Sequence, residues 1–366
     1  MPAALQGLKN LRRRTFSFPT RKTDPACWLI GKLAQKVAQG AFRKLGRIQT
    51  QLLAPELLGL RAFLKKTNAQ IYHLHKWEVL LPFLESGRDP GGLVFDCMEF
   101  YSEMGEGQTP EIATAIRLAE SKWLDRCQLL TTSSPEVARA YEKICPGTPS
   151  SADYNCPRSV PNLQMSPDEP IRLYWRNAVV ALSQRGLEEA LEALTMLPED
   201  VSLSVQGHLT KSGALILSTA LKQRGIEKRV RILAPYSVDQ AIAEASQFNI
   251  GLCLERDVNS NHRLTVSNKM FDYHMAGLAV VASDLPSLRN VITQSGGGLL
   301  FRAGDAGSLA VQISRLHKDR SLLHKYREGA RAYALAIGNE EFQMELFTKT
   351  VMQKFSWNAT AKGRFQ

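Results

Sequence analysis

Two turns in the C-terminal half of the chain carry residue types suited to a phosphorylated ligand. The first runs from Tyr174 to Gly186 and places Arg176 and Arg185 between an apolar run and the helical pattern LEEALEAL. The second spans Val266 to Pro286: Ser267 is a natural N-cap, about ten residues of helical pattern follow, and Gly277 stops them before an apolar run. A capped helix start attracts phosphate, because its free backbone N–H groups and its dipole present positive charge together. Asp272 lies about one and a half turns inside this helix and can accept hydrogen bonds from ribose hydroxyls. Arg176 and Arg185 can supply fixed positive charge to a diphosphate. The plainer alternative is a pair of ordinary capped helices with arginines on the surface.

These turns need a scaffold, and the patterning supplies one. Apolar runs predict strands at 171–174, 201–206, 230–233, 250–254, 279–283 and 298–301. Helical periods between and after them fall at 187–196, 214–224, 238–246, 267–276, 306–318 and 321–336, and a last amphipathic stretch covers 340–355. Further upstream, strands are expected at 71–75, 93–96 and 129–132, with helical stretches at about 110–127 and 135–144. Alternation of this kind makes a parallel α/β layer, whose ligands bind beyond the carboxyl ends of the strands. A length of 366 residues suits two such domains. The reading is a basic arm over 1–25, an N-terminal α/β domain over 26–160, a C-terminal one over 161–337, and a final helical segment, 338–366, packing back toward the N-terminal domain. Residues 146–170, rich in Pro and Ser, read as the linker.

Composition narrows the class. The chain is 44% hydrophobic and 22% charged, as globular proteins are. Its six cysteines form no CxxC pair, which fits free thiols in a reducing cytosol. No run is long enough for a membrane-spanning helix or a secretion signal, so a cytoplasmic protein is expected. The net charge of +11 is concentrated: residues 1–50 hold eleven Lys and Arg against Asp24 alone, and the remaining 316 residues are close to neutral. A localised anionic partner fits this better than nucleic acid, which is usually met by a basic surface spread over a folded domain.

Several segments, in order, resemble glycosyltransferase family 4, a retaining family with the GT-B fold. NKMFDYHMAGLAVVASDLPSLRNVI (268–292) is similar to the family signature NKxFEYxAxGxPVVASDxPxLxEVI. RGLEEALEAL (185–194) is similar to its KGL/RGL helix, VQGH (205–208) to its VGxG turn, NCP (155–157) to the segment before its hinge, and TTSSPEVARAYEK (131–143) to VTxSxxxAxxL. The resemblance implies two Rossmann-like domains facing a cleft and a nucleotide-sugar donor held by the C-terminal domain. It also implies metal-independent transfer that keeps the anomeric configuration, so neither cofactor nor metal is expected.

Carried over by position, Arg185 takes the diphosphate place, with Arg176 beside it, and Asp272 takes the place of the second glutamate in the family's E-x7-E. Ser267, Asn268 and Lys269 open the helix facing the phosphates, and Gly207 lets the backbone approach the nucleotide. The first glutamate of E-x7-E is replaced by Leu264.

The N-terminal half departs further. IYHLHKWE (71–78) resembles the family's DVIHAHD and puts His75 where it can receive a proton from the acceptor or meet the sugar, with His73 on the same face. VFDCMEFYSE (94–103) resembles VYDxHExxSE, which leaves Glu99 and Glu103 as acceptor-side acids and Met98 in the histidine place. Residues 1–50 contain neither the opening strand nor the glycine-rich loop of a GT-B N-domain, so this domain is incomplete or divergent. In their stead the segment 26–53 has a basic helical pattern. Its apolar line (Leu29, Leu33, Val37, Ala41, Leu45, Ile48, Leu52) is expected to pack on the N-domain sheet. The other reading lays it on an anionic membrane surface, with the protein peripheral on the inner face.

The expected function is transfer of a hexose from a nucleotide-sugar to a glycan or lipid-linked acceptor in polysaccharide or envelope biosynthesis. The alternatives are a GT-B-like nucleotide-binding partner that has lost transfer, and, more distantly, a nucleic-acid-binding protein using the basic arm.

Overall fold

The computed structural model describes residues 25–46, 48, 60–66, 69, 71–87, 92–105, 108–183, 185–235 and 237–355. The basic arm and Leu52 lie outside them. The chain divides into two compact units: Met1–Asp96 with Gln108–Gln128, and Cys97–Gly107 with Leu129–Gln366.

The first unit contains α1 (Pro25–Leu45), α2 (Leu60–Lys65), β1 (Tyr72–His75), α3 (Trp77–Glu85), most of β2 (Leu93–Cys97) and α4 (Pro110–Trp123). β1 and β2 pair in parallel, which sets His75 opposite Asp96 at their carboxyl ends. The helix α3 was not expected; it buries Trp77, Leu80, Leu81 and Phe83. α4 starts on Thr109, whose hydroxyl accepts from the Ile112 N–H at 3.3 Å, with Pro110 in the first turn.

The apolar line predicted to pack on a sheet does not do so. Leu29, Leu33, Val37 and Leu45 are exposed. The buried side of α1 is the opposite one, where Ala38 packs with Phe42 and Ile48 against Ala115 of α4. A period identifies residues that share a face; only the neighbours decide which face is covered.

The second unit continues with β3 (Leu129–Thr132), α5 (Pro135–Ile144), β4 (Ser150–Ala152), β5 (Arg172–Val179), α6 (Leu187–Thr195), β6 (Ser202–His208), α7 (Lys211–Arg224), β7 (Val230–Leu233), α8 (Ala241–Ala245) and β8 (Ile250–Cys253). It ends with α9 (Ser260–Leu264), α10 (Asn268–Met275), β9 (Ala279–Ser283), α11 (Pro286–Ser295), β10 (Gly298–Phe301), α12 (Ala306–Lys318), α13 (Arg320–Ala336) and α14 (Glu340–Lys354). β3 and β4 pair in parallel. The remaining strands make a six-stranded parallel sheet in the order β10-β9-β8-β5-β6-β7. Side chains alternate between its two cores. Leu173, Trp175, Leu252 and Val281 point to one, and Tyr174, Cys253, Val280 and Ala282 to the other. Burial on both faces is why β8, β9 and β10 read as nearly unbroken apolar runs.

Three elements here were missed: β4, α9 and α11. The expected linker is also better packed than its Pro and Ser content suggested. Tyr154, Cys156, Val160 and Leu163 lie against the core that contains Phe271. α14 rests on the same stretch, with Glu340 N–H donating to the Pro157 carbonyl at 2.8 Å and Gln343 Oε1 accepting from Tyr154 N–H at 3.0 Å.

Candidate functional site

The strand order of the six-stranded sheet reverses at β5, which has β6 on one side and β8 on the other. Loops leaving the carboxyl ends of β5 and β8 therefore part, and a crevice is forced there. A cavity of about 960 Å³ within the second unit opens at this point. Arg176 of β5, Arg185 ahead of α6, Glu255 after β8, and Ser267, Asn268, Lys269 and Asp272 of α10 line it.

The sequence fixes α10 against the sheet through Gly251. A Cβ there would sit 2.5 Å from the Tyr273 ring, so only glycine lets the helix come this close to β8. The start of α10 is open. Ser267 occupies the N-cap position, but its side chain makes no capping hydrogen bond. The N–H groups of Asn268 and Lys269 are thus open to a ligand, while that of Met270 donates to the Ser267 carbonyl at 2.9 Å.

Arg185 has φ +49°, in the left-handed region. Its carbonyl accepts from the buried Trp175 Nε1 at 2.9 Å, which holds the turn. The charges in the cavity come in pairs. Arg176, with 3% of its side chain exposed, pairs with Asp272, and its guanidinium lies 5.6 Å from the Tyr273 ring centre. Glu255, 5% exposed, pairs with Arg185 and lies 3.7 Å from Lys269 Nζ. Each carboxylate thus holds a cation in place.

Glu99 is on the cavity wall. Burial pushes its carboxyl above the usual range, against the pull of the hydrogen bond that Asn261 Nδ2 donates at 2.7 Å. A second bond, from Phe100 N–H to Asn261 Oδ1 at 2.7 Å, fixes the segment that carries Glu99 to α9. Glu103 does not line the cavity, and neither does Gly207. Gly207 has φ +150°, and a Cβ there would lie 2.1 Å from the Asn177 carbonyl oxygen, so its freedom serves the close parallel pairing of β6 with β5 at the irregularity in their register.

In the first unit, His75 Nδ1 is 2.7 Å from Asp96 Oδ2. An ionised carboxylate only accepts, so Nδ1 carries the proton and Nε2 is left as the basic nitrogen. This hydrogen bond raises the His75 pKa above its ordinary value. His73, whose ring centre is 4.3 Å from that of His75, is lowered to about 4 by burial and by its neighbour. His73, His75 and Asp96 offer ligand atoms within 4.8 Å of one another, the one such group among the described residues with the donor set for a divalent ion.

Sequence reasoning missed Glu255, Asn261 and Asp96. An acid after an apolar run looks like any solvated loop residue, and its closest partner, Arg185, lies 70 positions away in the chain. Asn155, Cys156 and Pro157 also line the cavity, although the motif NCP had marked only a hinge.

The chain shares its architecture with solved glycosyltransferases. Sucrose-phosphate synthase from Thermosynechococcus elongatus superposes with a TM-score of 0.68 at 16% identity, over 84% of this chain and 79% of that one. The fold is that of the GT-B glycosyltransferases. HepE of Anabaena, in complex with UDP-glucose, matches at TM-score 0.65 and 14% identity over 89% of this chain and 95% of that one. A glycosyltransferase from Rickettsia africae matches at 0.64 and 11%, over 94% and 85%. Residues 176–319 match the family described as Glycosyl transferases group 1, and this segment holds every residue of the cavity at α10 and the β5 end. No curated protein sequence matches the chain. Among the described residues no helix is long and apolar enough to cross a membrane.

Proposed function

We propose that this protein transfers a hexose from a nucleotide-sugar to a glycan or lipid-linked acceptor, with retention of anomeric configuration, in polysaccharide or envelope biosynthesis in the cytoplasm. One observation carries the reading. The uncapped start of α10 opens into a cavity at the sheet's switch point, with Arg185 and Lys269 beside it. The family match over 176–319 and the UDP-glucose complex of HepE support a nucleotide-sugar as the occupant. Retention rests on the resemblance of 268–292 to family 4.

In this mechanism the diphosphate lies on the N–H groups of Asn268 and Lys269, and Arg185 and the Lys269 ammonium take over the charge that grows on it as the glycosidic bond breaks. Fixed donors of this kind are typically worth ~10²–10³ in rate each. They can do here the work a divalent ion does elsewhere, so no metal is assigned to the transfer. Asp272, held by Arg176, is placed for the ribose. Glu99, with its raised pKa, and His75, with a free Nε2, are the candidates for receiving the acceptor's proton.

The paired charges and Leu264 favour one second reading, a nucleotide-binding partner without transfer. Thermal melting with UDP, GDP, ADP and their sugars tests the shared part. One nucleoside diphosphate is expected to stabilise the fold by about 2.7 kcal/mol at a hundredfold excess over its Kd; stabilisation by none overturns both readings. Slow hydrolysis of the matching sugar nucleotide without acceptor favours the transferase, and its absence favours the partner protein.

A further inference from the structure

The donor cavity leaves one feature of the chain unused, the outward face of α1. Leu29, Leu33 and Val37 follow one another at four-residue spacing and point to solvent, with Ile30 at their side. Val37 is 72% exposed and Leu33 56%. Lys32 and Lys36 form a second row along the same edge, and both are exposed. α1 contains no acid. Its other side is already occupied, since Ala38 and Phe42 pack against Ala115 and Arg43 meets Glu111 at 3.0 Å. The helix is thus anchored by a narrow seam around Ala38 and Phe42 while Leu29, Leu33 and Val37 stay in water.

We propose that this face of α1 docks on an anionic membrane surface. Exposing branched aliphatic side chains is unfavourable unless something removes them from water. A lipid interface takes them at the headgroup–acyl boundary while the adjacent lysines meet lipid phosphates. Charge complementarity selects the occupant. The cationic row lies beside the apolar one, as an interfacial helix requires, whereas a second copy of this chain would bring its own lysines against these. Nucleic acid would match the lysines but leave the leucines with no aromatic or base stacking to join. This inference is independent of the transfer reading, since no residue of the donor cavity belongs to the face.

Co-sedimentation of the full chain with phosphatidylcholine vesicles, with and without phosphatidylglycerol, tests it. Binding is expected with phosphatidylglycerol and to weaken as salt rises. Lys32→Gln and Lys36→Gln should each lower it roughly fivefold. Leu33→Glu with Val37→Glu should lower it more than tenfold, with the melting temperature and the UDP-induced shift unchanged because both positions are solvent-exposed. Equal binding by this double variant overturns the proposal, because it places the attraction elsewhere in the basic N-terminal region. Absence of binding to phosphatidylglycerol vesicles overturns it too, as does a self-association seen by light scattering that the double variant abolishes while vesicle binding persists.

Discussion

The end of the six-stranded sheet and the first unit treat their ionisable and apolar groups in opposite ways. At the sheet, Arg176, Glu255 and their partners are largely withdrawn from water and locked in ion pairs, over a core buried on both faces. In the first unit the imidazole of His75 and the aliphatic row of α1 stand at the surface. Groups fixed in advance need little reorganisation when charge appears, which suits the proposed transfer. Exposed groups respond instead to pH and to whatever surface approaches. Under the two proposals, the ion-paired end of the sheet grips a diphosphate and the exposed row of α1 meets a membrane surface.

The contrast can be broken most severely at Gly251. Gly251→Val would drive the new side chain into Tyr273 and is expected to cost about 3 kcal/mol by urea denaturation, with loss of nucleotide binding. If stability survives, the tight seating of α10 is not what fixes the site. Next in size is Lys269→Met. Loss of a charge-assisted contact to the diphosphate should weaken UDP binding roughly tenfold to a hundredfold in calorimetry, with little change in melting temperature. Glu255→Gln acts in the other direction: it frees Arg185 and Lys269 from their counter-charge, so UDP should bind about threefold to tenfold tighter. Weaker binding would mean that Glu255 matters more for holding Arg185 than for competing with the anion.

Asp96→Asn sharpens the other side of the comparison and should have the smallest effect. The carboxylate raises the His75 pKa, so the neutral, proton-accepting form dominates only above that raised value. Activity is expected to rise with pH through it in the parent protein. Removing the negative charge lets the pKa fall, so the acidic limb of the rate profile should move to lower pH. The same pair contributes stability that is fully present below the unfolded value of 6.5 and lost as pH climbs through the folded one. An unmoved limb in the variant would exclude His75 as the titrating group.

Much of this frame is legible in the sequence where burial is two-sided. The strands at 129–132, 279–283 and 298–301 fall where their apolar runs end, because a strand covered on both faces has few polar residues to blur its limits. α11 escaped notice since Asn290, Thr293 and Gln294 dilute its period, and the proline at its head reads equally well as a turn. Ser267 at the head of α10, with Lys269 and Asp272 behind it, could be placed because a helix start is a local event. The pairing of Arg176 with Asp272 and of Arg185 with Glu255 could not, since nothing in a period or a cap relates residues about ninety or seventy positions apart. The outward turn of α1 was hidden for the same reason: the seam at Ala115 belongs to another helix.

Position 185 shows what the donor site asks of the backbone. A residue with a Cβ sits there in a conformation that glycine or asparagine adopts more easily, at a local cost of about 1–2 kcal/mol. Either replacement would relax the chain and remove the guanidinium. That relief is outweighed because Glu255, 5% exposed, would lose the guanidinium that neutralises it, so Arg185→Gly is expected to melt lower as well as to hold a diphosphate less well.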